Sequence, residues 1–224
     1  MVIGNIKIPY KSLNIFQDLK NKIKINLSIR TGSRNYVTNI AKNSYLIELN
    51  VKENENADDL GFRLVHEMCH IYQFENGYHR ISKSLIHDQK IKELLSHISD
   101  FVLDTDVHQF LIDKYDYNIR DYVSSTGNKY TGYKEMFYDF SGEFSETGKK
   151  LIAIEMAYIY FNDSKEHAIE LNNLLKIYSD DISYYFYRIL QEYQDDIITS
   201  AEFAKEKLIN ICHILNLDDA YLLN

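Results

Sequence analysis

Two histidines four residues apart, His66 and His70, lie in a stretch whose apolar residues recur with the period of an α-helix. No other feature constrains the fold of the chain as strongly. On a helix, residues four apart point the same way, about one turn from each other. Stepping about 100° per residue from His66, the far side of the helix carries Leu64, Val65, Met68, Ile71 and Tyr72. The helix is therefore expected to be buried on its back and polar only around the imidazoles. Asn56 supplies an N-cap and Asp59 a capping-box-like acidic partner ahead of it, and Asn76-Gly77 provides a stop after about Glu75.

The segments around it set the rest of the layout. Residues Lys11 to Lys22 have helical spacing, with Leu13, Phe16, Leu19 and Ile23 on one side. Three β-rich stretches follow, Ile23 to Arg30, Asn35 to Ile40 and Ser44 to Val51, separated by Thr31-Gly32-Ser33 and Ala41-Lys42-Asn43, and they suggest a small antiparallel sheet. A second long helix is expected from Asp88 to about Lys114. Between Tyr115 and Lys149 no clear period survives, and further helices are expected over Lys150–Phe161, Lys165–Tyr178, Ile182–Tyr193 and Ala201–Leu215. The expected fold class is α+β and mainly helical. It comprises an α+β unit over residues 1–114, a Tyr/Gly-rich connecting region over 115–149, and a helical part over 150–224, either separate or in the same domain.

Composition excludes several function classes. Hydrophobic residues make up 45% of the 224 and charged residues 26%, the balance of a chain that can bury a core rather than a disordered one. A net charge of −8 without a Lys/Arg block argues against nucleic acid as a partner, because binding phosphates requires a basic stripe. The start of the chain has no basic head, apolar stretch and small-residue cleavage site in succession, and no run reaches membrane-spanning length, so no membrane partner is expected. Cys69 and Cys212 form no CxxC pair, and two free thiols suit a reducing, cytoplasmic setting.

The chemistry concentrates in His66-Glu67-Met68-Cys69-His70. Two imidazoles one turn apart can reach one zinc ion at about 2.0–2.1 Å, and Glu67, one step around the helix, is placed to act as a general base on water there. A third ligand must come from elsewhere. On the second long helix, Glu93, His97, Asp100, Asp104 and His108 fall close to one line, with Leu94 and Phe101 on one flank and Leu103 and Val107 on the other. Such a stripe reads as the wall of a buried polar site facing the first helix. Asp104, central in it, is the expected third ligand. Asp100 is the alternative, either in that role or orienting a ligand histidine. Glu155, inside an apolar helix, is a weaker candidate that could equally be ion-paired. Cys69 reads as a small buried thiol, and His79, His87 and His213 as ordinary surface or half-buried histidines. Among the tyrosines of the connecting region, Tyr130, Tyr133 and Tyr138 could offer a phenol to an oxyanion. The piece STGNKYTG lacks a Walker ending and does not argue for nucleotide binding.

HEMCH on a helix after a strand, followed by a second helix with an acidic ligand, resembles the zincin metallopeptidases. It looks most like the small intracellular gluzincin-like group that includes the ImmA/IrrE type. The resemblance covers roughly Lys11 to Lys114. It implies Zn2+ held by His66 and His70, Glu67 as general base, and a peptide or protein substrate held along an edge strand, Ser44 to Val51, by β-augmentation. An aspartate stands where gluzincins carry a glutamate as third ligand. The expected function is zinc-dependent peptide hydrolysis. The alternative is a regulatory or binding protein of zincin fold, in a prophage or toxin-like setting, with structural zinc and a protein partner docked on the C-terminal helices.

Overall fold

A computed structural model describes residues 1–82, 86–117, 129–138, 142–193 and 200–217. The class is α+β and mainly helical, as expected, and the described residues form two compact units. One comprises Met1–Tyr78 and Phe110–Tyr122, the other His79–Gln109 and Val123–Asn224.

The first unit begins with a short antiparallel hairpin, β1 (Val2–Ile3) and β2 (Ile6–Lys7), turning at Gly4, whose φ of 58° suits a residue without Cβ. Helix α1 (Tyr10–Lys22) starts behind Pro9, the only proline of the chain, and buries Ser12, Ile15, Phe16 and Leu19. Strands β3 (Asn26–Thr31), β4 (Tyr36–Ala41) and β5 (Ser44–Leu49) form one sheet in the order β3-β5-β4. The β4–β5 pairing is antiparallel, through a tight turn at Lys42-Asn43 in which Asn43 takes a φ of 54°. β3 is parallel to β5, so the sheet is mixed rather than wholly antiparallel. This order corrects the expectation that Ser44 to Val51 offers an edge. β5 is the central strand, its backbone paired on both sides, and the edges are β3 and β4.

Helix α2 (Ala57–Glu75) packs on α1, β4 and β5. Asn56 caps it by accepting from the Asp58 amide at 2.9 Å, and the chain leaves through Asn76 and Gly77, the latter at a φ of 88°. Its back is buried as the periodicity requires, with Leu64, Val65, Met68 and Ile71 all at 0% exposure.

Helix α3 (Gln89–Tyr115) is continuous through Gln109–Phe110, where the two units divide. Asp88 caps it, accepting from the amides of Lys90 and Ile91. The second unit otherwise consists of α4 (Lys129–Tyr138), α5 (Glu146–Asn162), α6 (Lys165–Leu175), α7 (Asp180–Tyr193) and α8 (Ala201–Ile214). α4 lies where the sequence shows no period. α5 packs on α6 and α7, and α7 on α8, around a core that includes Ala153, Ala157, Leu171, Phe186 and Ile211. Ser145, Ser164 and Ser200 cap α5, α6 and α8, each accepting from the amide three residues on. No helix among the described residues is long and apolar enough to cross a membrane.

Candidate metal centre

On α2, His66 and His70 face each other with their Nε2 atoms 3.0 Å apart and their rings in a T-shaped arrangement. His70 is 2% exposed and His66 half-buried. On the other side of His70, Nδ1 lies 2.9 Å from Gln73 Oε1. An amide oxygen only accepts, so Nδ1 carries the proton, and the Nε2 lone pair of the neutral ring points at His66. Two nitrogens placed this way share either one proton or one cation. Two Zn–N bonds of about 2.0–2.1 Å at a tetrahedral angle separate their nitrogens by about 3.3 Å, so the observed spacing suits a common ion with a shift of a few tenths of an ångström.

Aromatic rings bracket the pair along the same helix face. Phe62, four residues before His66, lies 5.7 Å from its ring, and Phe74, four residues after His70, stacks on that ring at 6.3 Å. Their apolar bodies lower the local dielectric and so strengthen any charge held there. Glu67, between the two ligand positions, is 7% exposed, and Cys69 is 1% exposed, the buried thiol expected.

In the second unit the α3 stripe meets a matching polar row on α5. His97 Nδ1 donates to Glu155 Oε1 at 2.5 Å, the Tyr158 hydroxyl hydrogen-bonds Asp104, and His108 Nδ1 donates to Asn162 Oδ1 at 2.7 Å. The Asn162 amide is oriented by donating to Thr105 Oγ1 and to the Tyr158 carbonyl. The stripe is only partly buried, His108 fully and His97, Asp100 and Asp104 partly, and His97 and His108 turn to α5. Glu155, 4% exposed, is paired with His97. Asp100 lies 3.7 Å from Arg80, and Glu93, at the end of the stripe, is exposed. Burial first, and then the negative charges of Asp104, Glu155 and Asp100, hold the Tyr158 phenol well above its ordinary value, so it remains a proton donor.

On α2, His66 and His70 together offer two imidazole nitrogens to one metal ion. Such a pair is one that zinc accepts, and other divalent ions bind it as well. The tyrosines considered for an oxyanion are engaged elsewhere. Tyr133 hydrogen-bonds Glu155, its phenol pushed up chiefly by burial, and Tyr130 stacks on His167 at 4.0 Å and donates to Glu170. The side chain of Tyr138 lies outside the described residues, as does most of STGNKYTG. His79, His87 and His213 are exposed.

Two residues of this region escape a reading of the sequence. Gln73 follows His70 by three positions, so helical spacing alone could have found it. Tyr158 follows Glu155 by three and shares its polar row, but its partner is 54 positions away in sequence. Comparison of the chain with protein-family models, with curated proteins and with solved structures finds no match.

Proposed function

We propose that this protein is a zinc-dependent metallopeptidase of zincin type, with His66, His70 and Asp104 as metal ligands and Glu67 as general base. The observation that carries the reading is the pair of facing Nε2 atoms on α2, one of them held in its lone-pair tautomer by Gln73. Asp104 rather than Asp100 is preferred as third ligand because it is central in the polar stripe of α3, whereas Asp100 lies beside Arg80.

Zinc, when bound, supplies a Lewis acid and brings the pKa of water toward about 7. The chain's own residues do the rest. His66 and His70 present nitrogen lone pairs from one rigid helix. The Glu67 carboxylate accepts a proton from the attacking water and hands it to the nitrogen of the leaving amine. An extended peptide would pair with the open edge of β4, the edge strand that packs against α2, since β5 has no free edge. Two buried free cysteines fit a cytoplasmic setting.

The test is Glu67→Gln in the full chain. It is expected to keep zinc at the wild-type level and to lower cleavage of a protein substrate, followed as the disappearance of its band in cells, by about 100-fold or more. Undiminished cleavage by that variant rules out the general-base role.

A further inference from the structure

Two of the expected ligands, His70 and Asp104, each have a polar partner on a helix. Gln73, 5% exposed and one turn after His70, can turn its amide only a little without losing the Nδ1–H···Oε1 contact of 2.9 Å. The backbone there is tied down as well, since the Gln73 carbonyl accepts from the amides of Asn76 and Tyr78 as α2 ends. In the second unit Tyr158, half-buried on α5, hydrogen-bonds Asp104, and its own carbonyl accepts from Asn162.

The geometry assigns Gln73 and Tyr158 as positioning residues of the metal centre, Gln73 fixing the tautomer and ring orientation of His70 and Tyr158 fixing the carboxylate of Asp104. This inference rests on the metal-centre reading. Its physical basis is that an acceptor on Nδ1 excludes the tautomer with a proton on Nε2. The ligand nitrogen therefore needs no proton shift and no ring rotation before binding. A phenol donating to one carboxylate oxygen likewise leaves the other turned outward in one fixed direction. Loss of such outer partners costs metal affinity about 10- to 100-fold.

The experiment measures the zinc dissociation constant of the full chain by competition with a chromophoric chelator, with zinc alone as probe. The variants are Gln73→Met, which keeps length and apolar bulk but removes the acceptor, Gln73→Glu, which restores an acceptor, and Tyr158→Phe, which removes one oxygen. Gln73→Met and Tyr158→Phe are each expected to weaken binding about 10- to 100-fold, with Gln73→Glu within about threefold of wild type. Circular dichroism and thermal melting without metal serve as the control for folding. Should Gln73→Met not fold, the Tyr158→Phe arm decides. The inference is overturned if the folded variants bind zinc as tightly as wild type, or if Gln73→Glu is as weak as Gln73→Met. A wild-type chain that binds no zinc, or a His66→Ala chain that binds it equally, instead removes the reading beneath.

Discussion

HEMCH places three polar side chains among apolar neighbours on a helix whose back is closed to solvent, and burying such groups is costly unless they are paired or bound. His70 and Glu67 are 2% and 7% exposed beside Met68 at 0% and Cys69 at 1%. Cys69 therefore behaves as a small apolar group, and Cys212, also buried, has its thiol pushed up to about 12 by desolvation. Neither thiol is expected to react with a thiol reagent in the native protein, while two per chain react after denaturation. A thiol titration checks this, and rapid labelling of the native chain would contradict the burial of both. The histidine pair and the buried cysteine were legible in the sequence because helical periodicity determines both. The partners of His97, Glu155 and Asp104 were not, because each depends on how α3 and α5 meet, which no local spacing encodes.

Two close approaches hold the elements that carry the site. Gly61 lies on the α1 side of α2, where a Cβ would come within 2.5 Å of Ser12 Oγ and 3.1 Å of Pro9 Cδ. Ser12 in turn shares a hydrogen bond of 2.8 Å with Tyr117. Gly61→Ala is expected to cost about 1–3 kcal/mol by overpacking, read as a lower midpoint in urea at unchanged slope. In the sheet, Arg30, Glu48 and Tyr36 lie side by side across β3, β5 and β4, and Glu48 accepts from Arg30 Nε at 2.8 Å and from the Tyr36 hydroxyl at 3.2 Å. Burial pushes the Glu48 carboxyl up, but Arg30, Tyr36 and the Ser33 amide together hold it below its ordinary value of 4.5. A carboxyl depressed in the folded state contributes stability that is present above its unfolded value and disappears as pH falls through its folded value. Wild type should therefore exceed Glu48→Gln in melting temperature at pH 7, and the difference should shrink as the pH is lowered below about 4.5. A gap that persists or widens in acid would contradict it. The β4–β5 turn was readable from its residues. The parallel β3–β5 pairing was not, because short turns on both sides of β4 suggest a simple meander, whereas the chain carries β4 to the far edge.

For the molecule as a whole, periodicity located seven of the helices that the structure describes, and capping residues such as Asn56, Asp88, Ser145 and Ser200 stand where they begin. α4 was hidden because Lys129–Tyr138 carries Tyr and Gly in place of an apolar stripe, and its hold comes from packing on α6 and from the Tyr130–Glu170–Lys134 contacts. Site chemistry was more legible than architecture at α2, where it is local, and less so on α3, which belongs to both units. One quantity bears on all of this together. Metal content per chain, determined by elemental analysis of protein purified without added chelator, should be close to one zinc in wild type and should fall to near zero in His66→Ala. No bound metal in wild type, or the same content in both proteins, would contradict the assignment of the two facing imidazoles as ligands of one ion.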